Sequence, residues 1–165
     1  MSSPFEFPKN YAKTAGQRWG ETAAKQRLEA LNAPPLTSIR LHPQRSFPQP
    51  FSNTQKVPWH TNAHFLQQRP RFTLDPAFHA GAYYVQESAS MMLKAILDRL
   101  PPLLLWLDLA AAPGGKSTLL LEQLNHHGWL LANEPQGRRF PILQDTMARW
   151  GYANQMLCRA WPKQL

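Results

Sequence analysis

Asp108, Lys116, Ser117 and Thr118 are held close together by a run of small residues, Ala110-Ala111-Ala112-Pro113-Gly114-Gly115. Adjacent glycines let main-chain N–H groups approach a ligand with no Cβ in the way, and a helix N-terminus supplies a positive partial charge. The ending Gly-Lys-Ser invites a phosphate-loop reading. That pattern needs a glycine where Ala110 stands, and the three-glycine dinucleotide fingerprint fails as well, with only Gly114 and Gly115 in place. Two readings stay open on the residues alone: a loop that holds a small ligand, and a loop that turns a corner between buried elements.

The flanking residues say what positions the loop. Leu103 to Leu109 is an apolar run ended by a turn, which predicts a fully buried strand, and Thr118 to about His126 predicts a helix. Strand, glycine loop and helix N-terminus form the unit at which open α/β sheets hold ligands. Trp129 to Asn133 predicts a second buried strand closing on Glu134. An acid there, some twenty residues past the glycines, accepts hydrogen bonds from ribose hydroxyls in nucleotide-binding domains. The alternative is an acid at the next helix's N-terminus. Gln136 to Trp150 predicts that helix, with Pro141 in or near its first turn, and Gln155 to Cys158 a third short strand.

Residues 108–118, Asp-Leu-Ala-Ala-Ala-Pro-Gly-Gly-Lys-Ser-Thr, resemble the cofactor loop of the Sun/nucleolar-protein family of RNA (cytosine-5) methyltransferases. Three further stretches match in the same order: Thr37 to Pro43, Phe78 to Met91, and Ala132-Asn133-Glu134. The resemblance covers residues 20–154 and implies S-adenosyl-L-methionine as cofactor. Ala110, Ala111, Ala112, Pro113, Gly114, Gly115 and Lys116 then surround its methionine and ribose parts, with Glu134 on the ribose hydroxyls. Lys116 alternatively serves a structural role. The implied fold is α/β: a partial Rossmann-like (class I) methyltransferase sheet preceded by a small mixed α/β N-terminal region. A complete sheet of this family has seven strands, of which three are expected here. The family's cysteine nucleophile stands on a later strand and a second cysteine in a Pro-Cys context. Cys158, between Leu157 and Arg159, has neither setting, so no catalytic residue is assigned and the chain is expected to be truncated after the third strand.

Composition bounds the partners. The 165 residues carry a net charge of +8, which suits a polyanion such as RNA, ribosomal RNA by the resemblance. A single cysteine excludes a disulfide framework and fits a reducing cytoplasm, and no metal-ligand cluster is expected. The N-terminus lacks a secretory pattern, and the most apolar stretch is cut by Pro101, Pro102, Asp108 and Pro113, so no membrane span is expected. An incomplete sheet points alternatively to a catalytically inactive RNA-binding remnant, or to one part of a split enzyme completed by a second chain.

Three regions follow: a flexible arm (1–16), an N-terminal RNA-binding-type region (17–76) and an incomplete methyltransferase domain (77–165). Glu21 to Leu31 predicts a helix with Ala24, Leu28 and Leu31 on one face. Ser38 to His42 alternates and predicts a half-buried strand, with Arg40 and His42 turned to water or to RNA. Residues 43–62 predict a long loop, 70–87 an extended connection with a strand at Tyr83-Tyr84-Val85, and 86–99 a helix carrying Met91 and Met92 into the core. Arg40, Lys56, Trp59, Arg69 and Arg71 are the candidate RNA contacts, cations for phosphate and an indole for stacking. Arg45 and His60 belong to the same interleaved set.

Overall fold

The computed structural model describes residues 7–8, 10–47 and 51–164, and divides into two units, Met1–Leu36 and Thr37–Leu165. In the first, helices α1 (Tyr11–Trp19) and α2 (Glu21–Asn32) meet at Gly20, whose φ of 82° makes the turn. Residues 11–16 are therefore helical and no loose arm, because the run from Tyr11 to Ala15 holds no breaker and Ala15 packs inward. Residues 1–6 and 9 of the expected arm lie outside the described residues. The apolar stripe of α2 buries Ala24 but leaves Leu31 exposed, since the nine-residue α1 is too short to cover the last turn of a twelve-residue partner.

The second unit contains two sheets. One is antiparallel, in the order β2-β3-β1-β4, from β1 (Thr37–Leu41), β2 (Gln55–Lys56), β3 (Ala63–Leu66) and β4 (Tyr83–Val85). Ile39 stands opposite His64 on one side and Val85 on the other, so β1 is central. It is covered on both faces, and Ser38, Ile39 and Arg40 are all buried. The half-buried strand expected here, with Arg40 and His42 facing water or RNA, is corrected: Arg40 is 0% exposed and His42 is buried too. Two other expectations give way to local hydrogen bonding. The 43–62 loop is interrupted by β2, and its residues 48–50 lie outside the described ones. The 70–87 connection folds into a 3₁₀ turn (Phe72–Leu74) and α3 (Pro76–His79), because Asp75 accepts the Ala77 amide at 2.9 Å and the Tyr83 hydroxyl at 2.6 Å.

The helix expected over 86–99 is a 3₁₀ turn (Ser88–Met92) followed by the short α4 (Leu93–Leu97). Ser90 donates to the Glu87 carboxylate at 3.1 Å, the local bonding that draws serine out of helices. Met91 is core as expected, whereas Met92 is exposed.

The other sheet is parallel, in the order β5-β6-β7, from β5 (Leu105–Asp108), β6 (Trp129–Asn133) and β7 (Gln155–Cys158). Its crossovers are α5 (Gly115–Leu124) and α6 (Phe140–Trp150), the latter starting later than expected so that Pro141 falls in the first turn. Leu121, Leu124, Leu143, Met147 and Trp150 from these helices bury Leu130 and Ala132, with Trp106 and Leu157 packed alongside. Leu107, Leu131 and Met156 stand side by side on the opposite face. That face is bare: Leu105 is 69%, Leu107 49%, Trp129 54% and Met156 61% exposed. The expectation of a fully buried β5 is thus corrected. The strand lies at the edge of its sheet, with helices on one face only.

Candidate functional site

At the carboxyl end of β5 the side chain of Asp108 ties off the loop. Its Oδ1 accepts the Ala110 amide at 3.2 Å and its Oδ2 accepts the Ser117 hydroxyl at 2.8 Å. Asn133, at the end of β6, braces the same loop from below. Its side-chain amide donates to the Leu109 carbonyl at 3.1 Å, its main-chain carbonyl accepts the Ala111 amide at 2.9 Å, and its Oδ1 accepts the Ala160 amide at 2.9 Å. Neighbouring strand ends are thereby fastened together, which fixes the loop without large side chains. The Ala112–Pro113 peptide bond is cis.

Gly114 precedes α5 with φ at 113°, a left-handed conformation, and a Cβ there would stand 2.6 Å from the Thr146 methyl group. A Cβ on Gly115 would crowd the Gln86 side-chain nitrogen at 3.2 Å and the Tyr84 ring at 3.3 Å. Glycine at 114 is required by its backbone conformation and by close approach, whereas a side chain at 115 would need Gln86 and Tyr84 to give way by a few tenths of an ångström. Above them opens a cavity of about 310 Å³, walled by Ala110, Ala111, Ala112, Pro113, Gly115 and Lys116 on the loop side. Tyr84, Val85, Gln86, Glu87 and Ser90 form the opposite wall. The volume falls at the small end of the range for ligand pockets, about 300–1,000 Å³. Lys116 is exposed at its rim, in the first turn of α5, with no ion pair among the described residues. A cationic side chain beside helix N–H groups forms a place for an anionic group.

Glu134 follows β6 and is 1% exposed. Its Oε1 accepts the Gln136 amide at 3.0 Å, while its Oε2 is buried without a hydrogen bond and faces Arg139 Nη1 at 3.6 Å. Arg139 also donates to the Ala112 carbonyl. The acid therefore meets the loop through this guanidinium and is not itself a wall of the 310 Å³ cavity. Six of the eight sequence-selected positions line the cavity. Gly114 supports it from behind, and Glu134 stands beside it.

The RNA candidates separate. Lys56, Arg69 and Arg71 are exposed. Trp59 is half-buried, packed against Val57, Ala63 and Met91, with its indole N–H given to the Ser88 carbonyl at 2.7 Å. Arg45 is spent on the carbonyls of Ala80, Arg149 and Trp150. Arg40 is withdrawn entirely. It donates to Gln86 Oε1 at 3.0 Å and Thr118 Oγ1 at 2.5 Å, pairs with Glu122, and lies over the rings of Tyr84 and Trp150. Burial pulls its guanidinium down to about 9, against the raising effect of Tyr84 and Tyr152, and it stays a cation at neutral pH.

Sequence reasoning missed Gln86, Glu122, Asn133 and Arg139. Glu122 carried a signal, being the one acid in a helix that reads Leu119-Leu120-Leu121-Glu122-Gln123-Leu124. A charge among so many leucines implies a buried partner.

A parallel sheet with helices on one face and a small-residue loop at the carboxyl end of β5 defines a partial Rossmann-like domain. Comparison with known proteins narrows the class. The model for the N-terminal domain of 16S rRNA methyltransferase RsmF matches residues 4–88, and that for 16S rRNA methyltransferase RsmB/F matches residues 96–164. The chain belongs to this RsmB/F family of 16S rRNA methyltransferases, as the four ordered stretches implied.

Among curated relatives, ribosomal RNA small subunit methyltransferase F of Salmonella arizonae is 34% identical over 108 residues, 61% of this chain and 22% of the relative. The protein of the same name from Aliivibrio fischeri is 29% identical over 143 residues, 79% of this chain and 30% of the relative. The chain thus spans less than a third of the length of these relatives. A solved methyltransferase homologue from Pyrococcus horikoshii superposes with a TM-score of 0.78 at 28% identity, covering 94% of this chain and 53% of the other. NSun6 from Pyrococcus horikoshii, solved with SFG, superposes with a TM-score of 0.74 at 14% identity, covering 93% and 65%, a likeness of fold alone.

Proposed function

We propose that this chain forms the methyl-donor-binding part of an S-adenosyl-L-methionine-dependent RNA (cytosine-5) methyltransferase acting on ribosomal RNA in the cytoplasm. The observation that carries the reading is the buried Oε2 of Glu134, which accepts no hydrogen bond and faces the Arg139 guanidinium at 3.6 Å, beside a loop whose Gly115 packs closely on Gln86 and Tyr84. A carboxylate accepts two hydroxyl hydrogen bonds without donating, the pattern a ribose diol requires. Ribose binding at that oxygen requires the Arg139 guanidinium, 3.6 Å away, to move aside. The first turn of α5 and Lys116 suit the donor's carboxylate, and Ala110 to Pro113 its apolar parts. When bound, the donor supplies an activated methyl group on sulfonium sulfur. The chain's own residues orient it: Asp108 and Asn133 hold the loop, and Tyr84 and Gln86 close the far side. The presence of SFG, an analogue of this donor, in the NSun6 structure supports the same reading.

The domain scheme goes with it: residues 77–165 serve the donor, while 17–76 bear the RNA-facing cations Lys56, Arg69 and Arg71. Calorimetry with S-adenosyl-L-methionine tests the assignment. The account expects weak one-to-one binding that Glu134→Gln reduces by about tenfold, because an amide nitrogen cannot accept from a hydroxyl. Equal affinity in wild type and Glu134→Gln contradicts the ribose role.

A second reading is favoured by the bare leucine face of β5. Here the chain is one part of an enzyme, inactive alone and completed by further protein that covers Leu105, Leu107 and Trp129. Methyl transfer to RNA by this chain alone contradicts it.

A further inference from the structure

We propose that Arg40 is a positioning residue for the donor loop, a buried guanidinium on the antiparallel sheet that sets the first two turns of α5 and so the shape of the cleft. The inference rests on the reading of that cleft as the donor site.

Arg40 makes three of its polar contacts along one stripe of α5. Nη2 reaches Gly115 O at 3.4 Å and Thr118 Oγ1 at 2.5 Å, and Nη1 pairs with Glu122. Residues 115, 118 and 122 are spaced i, i+3 and i+7, one face of a helix. The remaining donor, Nε, holds Gln86 Oε1 at 3.0 Å, and Gln86 turns its own amide onto the Gly115 carbonyl at 3.2 Å. Two donors from the antiparallel part of the unit therefore converge on one carbonyl of the donor loop. Gly115 and Gln86 both wall the cavity, as does Tyr84, over whose ring Arg40 lies.

Stability alone does not call for an ion here. A buried pair replaced by apolar side chains of similar volume is often neutral or stabilising. What apolar residues lack is direction. A planar fork with fixed donors specifies where the Gly115 carbonyl and the Thr118 hydroxyl must stand, and a lysine ammonium does not. The arrangement couples β1, an element of the N-terminal antiparallel sheet, to the geometry of the loop after β5.

The test separates packing from positioning. In the double variant Arg40→Met with Glu122→Leu, both charges leave together, so neither remains unpaired. We expect its urea midpoint to stay close to wild type while exchange of the Thr118 amide, which bonds the Gly114 carbonyl at 2.9 Å, accelerates by about tenfold. Affinity for S-adenosyl-L-methionine should fall by about tenfold in the same protein. Arg40→Lys keeps the charge opposite Glu122 and loses the fork. It should show the same faster exchange, and it decides the matter if the double variant does not fold. Wild-type exchange at Thr118 in a folded variant overturns the proposal. Faster exchange in proteins that bind no donor, wild type included, upholds the role of Arg40 and overturns the donor-site reading instead.

Discussion

Within the second unit, β1 carries a guanidinium into the interior and β5 leaves two leucines in water. Arg40 has no exposed surface, whereas Leu105 keeps 69% and Leu107 49% of theirs. The difference lies in what surrounds each strand. β1 has a neighbour on both edges and covered faces, so its three central side chains are enclosed and any polar one among them must find partners. β5 has a neighbour on one edge and helices on one face, so its outward residues stay wet whatever their chemistry. Position in the stack of layers decides burial here, and residue type decides only what burial then demands.

The comparison is broken most severely at the buried pair. Glu122→Leu leaves the Arg40 guanidinium enclosed without its carboxylate, and a loss of about 3–5 kcal/mol in urea denaturation is expected. A loss below about 1 kcal/mol contradicts the burial of the ion. Next come the two faces of the parallel sheet. Leu130→Ala should cost about 2–5 kcal/mol, while Leu107→Ala should change stability by less than about 0.5 kcal/mol. Equal losses would mean that the β5 face is covered in solution.

A smaller effect comes from two enclosed histidines. His42 accepts the Gln44 amide at Nδ1 and His60 accepts the Asn62 amide at Nδ1, each at 3.2 Å, so both rings are held neutral. Burial, aided by nearby cations including Arg40, pushes each down to about 4. As pH falls through the ordinary value near 6.5, the unfolded chain takes up these protons first. The stability given by the neutral rings is therefore complete above about pH 6.5 and is lost towards pH 4, by about 3 kcal/mol in total after discounting for solvent screening. Denaturant midpoints at pH 7.5, 5.5 and 4.5 check this, and His60→Gln should flatten the slope. A midpoint that does not move between pH 7.5 and 4.5 contradicts it.

The smallest effect concerns RNA. Lys56→Ala, Arg69→Ala and Arg71→Ala should each weaken binding of a single-stranded RNA slightly and lower the salt dependence, log affinity against log salt, by about 0.7 for each phosphate no longer neutralised. Unchanged slopes in all three would remove these residues from the RNA surface.

How far the sequence reached follows the same division. The strands Trp129–Asn133 and Gln155–Cys158 were legible to the residue, because apolar runs bounded by turn residues have few other outcomes. The loop between β5 and α5 was legible as a loop because glycines and a proline leave a written mark. Arg40 was misread because alternation reports one covered face, and β1 has two. The exposure of β5 was misread for the opposite reason, since an apolar run records what a strand was built to meet and not which of its faces is covered in this chain. Arg139 escaped notice because one of two adjacent arginines, Arg138-Arg139, in a basic chain carries no mark of its partner, and only the fold brings it between Glu134 and the Ala112 carbonyl.

The most direct measurement is a titration of the labelled chain with S-adenosyl-L-methionine, followed through amide shifts in nuclear magnetic resonance. The account predicts saturable shifts at Ala111, Gly114, Gly115, Lys116 and Gln136, the last because its amide rests on Glu134, and their abolition in Gly115→Val. Shifts confined to other parts of the chain, or undiminished in Gly115→Val, contradict the claim that this loop holds the methyl donor.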